Sequence, residues 1–176
     1  MPDLLAHYAL STLVAKTRFN TKKALLLGVI GVIPDIDALF RLHRWITHSL
    51  VLTLVLAGVI LPIIYKYKKN TLEYTLTILV LITLHITIDV FTGPTPILWP
   101  ITSHSYTATL KLNGSIQVDS ITLKPQVEIT TREVDFTQQY IVEGPIASEI
   151  GVITAIAVAV TLILDHTTKP CRVNTN

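Results

Sequence analysis

Residues 49–91, SLVLTLVLAGVILPIIYKYKKNTLEYTLTILVLITLHITIDVF, decide the fold of this chain. They contain two apolar segments, 49–65 and 72–91, and each is close to the roughly 20 residues that a transmembrane helix needs. The short polar sequence KYKKNT separates the two segments. This pattern predicts a transmembrane helical hairpin that turns around Lys68 and Lys69.

The composition indicates a membrane protein. Of the 176 residues, 50% are hydrophobic and 15% are charged, whereas a soluble domain carries roughly 25% charged residues. The formal net charge of +2 gives no basic excess that would indicate a nucleic-acid partner. A single cysteine, Cys171, excludes an intrachain disulfide, so a metal site here must use nitrogen and oxygen ligands. The start of the chain has no signal-peptide pattern, and we expect a multi-pass plasma-membrane protein.

Three further segments complete the predicted helical part. Residues 4–14 carry apolar side chains at helical spacing, which predicts an opening helix. Residues 24–33 are apolar but about half as long as a span, so they predict a half-span that ends at Pro34. Residues 146–164 predict a final transmembrane helix. The predicted fold class is therefore mainly α and integral to the membrane, with about three transmembrane helices and a short half-span.

Residues 106–145 have a different pattern, in which Leu110 and Leu112 alternate with polar residues. Asn113-Gly114 is a strong two-residue turn signal, so we predict a β-hairpin that turns there, with a third strand around 127–129, outside the bilayer. The chain then divides into a membrane-embedded core at 1–105, a β-rich insert at 106–145, and a final helix with a polar tail at 146–176.

Symmetry about the hairpin turn predicts a shared site. It places His48 at the same depth as Asp89, while His85 and Asp89, four residues apart, lie on one helical face. A charged side chain inside an apolar span costs about 2.5–3.5 kcal/mol, so Asp89 needs a partner. A histidine and a carboxylate at this spacing can bind one cation together.

Three other residues are candidates for the same cluster. Asp35 and Asp37, in the sequence PDID, follow the half-span, and His7 lies among apolar residues of the opening helix. One carboxylate could bridge two metals while the other binds a metal or orients a histidine. With His48, His85 and Asp89, these residues supply enough nitrogen and oxygen ligands for one closed or two open divalent sites.

Each residue also has a simpler interpretation. Asp35 and Asp37 are typical helix caps, and His85 or His7 alone could be a packed core histidine. Arg44 and Trp45 could be interfacial anchors, and His104 is expected in a solvated loop. His43 cannot share a helical face with His48 and is a ligand only if the sequence HRWITH is nonhelical. The coincidence of PDID, HRWITHS and HITID favours a shared metal site.

The order of His7, PDID, HRWITHS, His85-x-x-x-Asp89 and GPTPILWP resembles the YdjM-type family of LexA-binding, inner-membrane-associated metal-dependent hydrolases, over residues 1–105. More distantly it is similar to the zinc-dependent phospholipase C and single-strand nuclease fold, although an amino-terminal tryptophan and a second helical His-x-x-x-Asp/Glu motif are missing. The resemblance implies one or two metal ions and the following metal-binding residues: His7, Asp35, Asp37, His43, His48, His85 and Asp89.

These observations lead to the hypothesis of a membrane-bound hydrolase that acts on a phosphoester or lipid-linked substrate through metal-activated water, with Zn²⁺ as the expected ion. Asp37 would be a further ligand or would fix a histidine tautomer, and Arg44 would bind a phosphate. Membrane lipid is the expected partner. A noncatalytic metal-binding membrane protein and a small ion transporter are the alternatives.

The side of the membrane that the site faces is left open by the sequence. Lys66, Lys68 and Lys69 favour a cytoplasmic hairpin turn, whereas the basic residues Lys22, Lys23, Arg41 and Arg44 oppose that orientation.

Overall fold

The computed structural model describes residues 3–42, 44–117, 120–141 and 144–168. The described chain is mainly helical with one two-stranded antiparallel sheet, which confirms the mainly α part of the predicted class and its small β-hairpin. Short 3-10 helices lie at Ile33–Phe40, Ile46–His48 and Lys69–Thr71. The helices are α1 (Leu4–Lys16), α2 (Thr21–Ile30), α3 (Leu50–Tyr67), α4 (Leu72–Thr92) and α5 (Glu149–Thr168), and the strands are β1 (His104–Gln117) and β2 (Ser120–Glu133).

Helices α3 and α4 form the predicted helical hairpin. Within the described residues, Leu50–Tyr67 and Lys69–Thr92 are the two helical stretches that are long and apolar enough to cross a membrane. The side chains of Leu54, Leu56 and Val59 on α3 are 55–60% exposed, as expected where lipid takes the place of water. The prediction of a third span, at α5, stays a prediction, as does the division of the chain into three parts.

Helix α5 runs beside α1 and is joined to it at both ends. Asp3 caps α1, because its Oδ1 accepts hydrogen bonds from the backbone N–H groups of Leu5 (2.9 Å) and Ala6 (3.1 Å). Its Oδ2 accepts the N–H of Ser148, at 2.6 Å, just before α5. At the other end, Lys16 pairs with Asp165 at 2.6 Å. The two helices are therefore parallel neighbours.

The predicted half-span is the ten-residue helix α2, which packs unusually close to α1. A Cβ atom added to Gly31 would lie 1.9 Å from Ser11 Oγ, and one added to Gly28 would lie 2.1 Å from Thr12 Oγ1. Neither position therefore has room for a side chain. The close approach brings the end of α2 against α4, where the Gly31 carbonyl contacts His85.

The predicted turn of the β-hairpin is wrong. Asn113 pairs with Lys124 and Gly114 pairs with Leu123, so the Asn-Gly pair lies inside β1, and the chain reverses between Gln117 and Ser120. The predicted third strand at 127–129 is part of β2. Between Ala108 and Ile116 the observed register puts each apolar residue opposite another apolar residue, whereas a turn at 113–114 would have placed Leu112 opposite Ser115. Cross-strand pairing therefore outweighed the local turn preference.

The close packing of α1 against α2 can be tested by substitution of Gly31. Gly31→Ala should lower stability by about 1–3 kcal/mol, because the added methyl overlaps Ser11 and the helices must separate. Thermal unfolding in detergent, followed by circular dichroism, measures the change. Gly58→Ala is the matched control, since a Cβ atom there meets nothing within 4 Å. Equal thermal stability of the two variants would contradict the described packing.

Candidate metal centre

Four buried side chains from three segments converge at one end of the α3–α4 hairpin. Asp35 comes from the 3-10 helix after α2, His48 from the residues before α3, and His85 and Asp89 from α4. One potential ligand atom from each lies within 4.8 Å of all the others. His48 Nε2 is 3.1 Å from Asp89 Oδ2, so the depth match predicted from hairpin symmetry is confirmed.

The hydrogen-bond partner of His85 fixes its tautomer. His85 Nδ1 lies 2.7 Å from the carbonyl oxygen of Gly31. Because a carbonyl oxygen can only accept, Nδ1 carries the hydrogen and donates it. The Nε2 atom of the neutral ring then presents a lone pair to the cluster, as in histidines that bind metals.

Asp37 favours one tautomer of His48, because it lies beside the ring nitrogen that faces away from the cluster. Asp37 Oδ2 lies 3.2 Å from His48 Nδ1 and also accepts hydrogen bonds from the Trp45 N–H (2.7 Å) and the Thr47 hydroxyl (3.0 Å). A carboxylate at Nδ1 favours the tautomer whose Nε2 lone pair faces the cluster. Asp37 lies outside the group of four, so this geometry favours the orienting role over direct metal binding.

The two Nε2 atoms face each other at 3.3 Å. Asp35 Oδ1 lies 3.5 Å from His48 Nε2 and 3.6 Å from His85 Nε2. Asp35 Oδ2 is buried without a hydrogen bond from any described residue. The Asp89 oxygens have ion-pair partners at 3.1–3.3 Å, among them the Arg44 guanidinium. Arg44 supplies one positive charge against the two buried carboxylates. A second cation, either a proton on a histidine or a metal ion, would balance the other carboxylate. The donor set of two imidazoles and two carboxylates fits a divalent metal.

The pKa values of Asp35 and His48 indicate that the cluster favours a positive charge. Burial favours the neutral Asp35 carboxyl, but hydrogen bonds with His48 and His85 outweigh it and lower its pKa to about 2. Burial likewise disfavours a charged His48, but hydrogen bonds with Asp35, Asp37 and Asp89 raise its pKa to about 10. At neutral pH the carboxylates therefore hold either a proton on His48 or a metal ion that displaces it.

His7 lies at the edge of the cluster. Its Nε2 is 3.1 Å from Asp89 Oδ1, the oxygen opposite the one near His48, and its ring lies over that of His85 at 4.1 Å between centroids. The structure thus brings His7 to the cluster, beside the group of four. His104, at the start of β1, is exposed, as expected for a solvated histidine. The predicted ligand His43 lies outside the described residues.

Arg44 is neither an interfacial anchor nor free to bind a phosphate, in contrast to both predictions. It is 4% exposed, and its Nε lies 3.3 Å from Asp89 Oδ2. Its other nitrogens donate to Thr92 Oγ1 (2.6 Å) and to the carbonyl of Pro94 (3.3 Å). A left-handed backbone at Arg44, with φ of 53°, accompanies this inward position. Arg44 therefore holds Asp89 and closes the loop after α4.

Three contributors had no signal in the sequence. The Gly31 carbonyl is a backbone group and is present whatever the side chain. Threonine is a residue type common on protein surfaces, but here the Thr47 hydroxyl donates to Asp37 and the Thr92 hydroxyl accepts from Arg44. Their roles follow from the course of the 3-10 segments and of the loop after α4, which a helical pattern does not specify.

The family model described as YdjM inner membrane protein matches residues 4–168. The chain therefore belongs to the YdjM inner membrane protein family, and the match extends past the motifs at 1–105 to include the β strands and α5. No curated protein and no solved structure matches the chain. The more distant resemblance to the phospholipase C and nuclease fold consequently has no support.

The cluster predicts bound metal that depends on its members. After purification in detergent with added divalent metal, elemental mass spectrometry should find metal in the parent and none in His48→Ala, which removes a central donor. Asp37→Asn should retain the site but weaken metal affinity about 10- to 100-fold, because the orientation of His48 is lost.

His104→Ala is the matched control, since this histidine is exposed, and it should keep the metal content of the parent. Metal content that is the same in His48→Ala and His104→Ala would contradict the site.

Proposed function

We propose that this protein is a membrane-bound, metal-dependent hydrolase of a phosphoester or lipid-linked substrate, in a multi-pass inner-membrane chain. The proposal rests on the convergence of the His48 and His85 Nε2 atoms with the carboxylates of Asp35 and Asp89 in one buried cluster. Zn²⁺ suits this mixture of imidazole and carboxylate donors. When bound, the ion would supply Lewis acidity and lower the pKa of its water toward about 7.

Two groups of residues would have different roles, metal binding and the orientation of histidines. Asp35, His48, His85 and Asp89 would hold the ion. Asp37 and the Gly31 carbonyl would keep the two histidines in the required tautomers. The second Asp89 oxygen lies 3.1 Å from His7 Nε2, so His7 would position this carboxylate for metal binding.

A noncatalytic metal site is the principal alternative. A closed shell of four protein ligands would favour it, because catalytic zinc keeps an open position. Two features favour catalysis instead. The donors include two carboxylates, whereas structural zinc is typically held by cysteines and histidines. Asp35 is 8% exposed while the other three ligands are at most 1% exposed, so water would approach from the Asp35 side.

The depth of the site argues against ion transport and for a substrate at the membrane surface. Asp89 lies in the last turn of α4, and His48 lies two residues before α3. Ionisable residues of a transport pathway are expected to continue toward the middle of the membrane, whereas residues 50–65 of α3 carry no charge. A site where two helices leave the bilayer suits a substrate with a lipid part.

Hydrolysis provides the functional test. The purified protein, loaded with Zn²⁺ or Mn²⁺, should hydrolyse generic phosphoesters or short-chain phospholipids, and chelation should abolish turnover. Asp35→Asn should reduce kcat/KM at least about 100-fold, and Asp37→Asn about 10- to 100-fold, since it acts through His48. His104→Ala should keep parental activity. A fully metal-loaded protein that hydrolyses none of these esters would favour the noncatalytic alternative.

The distribution of basic residues supports an outward-facing site. Lys23 donates to the Tyr74 hydroxyl at 2.6 Å, in the first turn of α4, so the start of α2 lies at the α3–α4 turn. Of the two arginines that opposed this orientation in the sequence, Arg44 is buried against Asp89, and Arg41 alone is exposed near the metal centre. We call this end of the molecule the lysine end, and it comprises Lys22, Lys23, Lys66, Lys68 and Lys69. By the positive-inside rule the lysine end is cytoplasmic.

Cysteine labelling tests this orientation. In a Cys171→Ser background, Ser103→Cys at the metal-centre end should react with a membrane-impermeant maleimide in cells whose inner membrane is intact. Lys68→Cys, at the lysine end, should react after that membrane is lysed. Both residues are exposed, so access depends on sidedness. The opposite labelling pattern would place the metal centre in the cytoplasm.

A further inference from the structure

One face of the ribbon formed by β1 and β2 is apolar from the pair Ala108↔Ile129 to the pair Ile116↔Ile121. Side chains alternate between the faces of a strand, and the register places ten residues without a polar side chain on the same side. These residues, which we call the apolar face, form the pairs Ala108↔Ile129, Leu110↔Val127, Leu112↔Pro125, Gly114↔Leu123 and Ile116↔Ile121. The pairs between them are polar, among them Thr109↔Glu128, Lys111↔Gln126, Asn113↔Lys124 and Ser115↔Thr122.

Within the described chain, nothing covers the apolar face. Its Leu, Ile and Val side chains are 64–84% exposed. The contacts that anchor the ribbon lie at its base, where Tyr106 exchanges backbone hydrogen bonds with Thr95 (2.9 and 3.0 Å) and Val134 donates to the carbonyl of Ser103 (2.9 Å). With 14 residues in each strand, the ribbon is roughly 46 Å long. A two-stranded ribbon alone in water is marginally stable, so this face requires a covering surface.

We propose that the apolar face lies on the bilayer, with the ribbon flat in the membrane interface. The composition of the face favours lipid over a protein partner. Protein interfaces depend on tryptophan, tyrosine and arginine, whereas this face consists of aliphatic residues, proline and glycine. An exposed aliphatic patch of this extent is typical of a surface that binds a partner or a membrane. This inference does not depend on the hydrolase proposal.

The position of the ribbon supports the same occupant. Its base follows the end of α4 at Thr92 by about a dozen residues and pairs with the loop there. Because α4 is one of the two stretches suited to cross the membrane, the ribbon is held where the helix meets the membrane surface. Lipid is therefore within reach at all times, whereas a separate partner must diffuse to the ribbon.

The charged side chains and the unpaired backbone groups at the ribbon edges limit how deeply the ribbon can enter the bilayer. Lys111, Lys124 and Glu128 lie on the face opposite the apolar one, where their charges meet headgroups and water. The outer edges of a two-stranded ribbon carry unpaired N–H and C=O groups, which the hydrocarbon core does not accept. The ribbon therefore lies at headgroup level with its aliphatic side chains directed into the upper acyl region.

Fluorescence from matched single cysteines tests this placement. The full chain with Cys171→Ser is reconstituted into nanodiscs that contain anionic phospholipid, and a polarity-sensitive dye is attached at Leu112→Cys or Leu123→Cys. The controls carry the dye at Lys111→Cys or Lys124→Cys, next in sequence but on the opposite face. All four positions are exposed, so labelling should leave the helical part folded.

Dyes on the apolar face should emit at shorter wavelength than the controls and lose emission when the lipids carry bromine near the headgroup end of the acyl chain. Adding Leu110→Asp and Val127→Asp should remove this quenching. Water-like emission at Leu112 and Leu123 would overturn the proposal. A shift to shorter wavelength without quenching by brominated lipid, together with cross-linking of two chains through Leu112→Cys, would assign the face to a second copy instead.

Discussion

The 3.3 Å approach of the His48 and His85 Nε2 atoms, between two buried carboxylates, is the constraint on which the rest of the structure depends. When both rings are neutral, these atoms present lone pairs to each other, because the opposite ring nitrogen of each histidine faces an acceptor, the Gly31 carbonyl or Asp37. A cation resolves the repulsion. The cluster thus makes the fold of this end of the molecule depend on a positive charge at its centre.

The supporting parts of the fold position these donors. The absence of side chains at Gly28 and Gly31 lets α2 approach α1 until its last carbonyl reaches α4. The 3-10 helix that follows turns Asp35 and Asp37 toward His48 from two sides, and Arg44 holds Asp89 from the loop side. Residues from α1, α2, the connecting segments and α4 therefore meet at a single point, although α2 itself is too short to span the membrane.

The sequence predicted those features that follow from regular geometry. The level position of His48 and Asp89 follows from symmetry about the Lys68–Lys69 turn, and the pairing of His85 with Asp89 follows from helical spacing. The role of Asp37 and the burial of Arg44 depend on irregular backbone, including the left-handed residue at Arg44, and no periodic pattern encodes these. The turn of the ribbon was mispredicted because Asn113-Gly114 is a strong local signal, whereas the pairing of aliphatic residues along both strands set the register.

The central claim is that two imidazoles and two carboxylates hold one divalent ion. X-ray absorption at the metal edge of the zinc-loaded protein tests it most directly, because multiple scattering from imidazole rings counts histidine ligands and sulfur gives a distinct, longer shell. We expect nitrogen and oxygen ligands alone, with two imidazoles per ion at the His48–His85 site and a loss of imidazole scattering in His85→Ala. A sulfur shell from Cys171, or a spectrum without imidazole scattering, would contradict it.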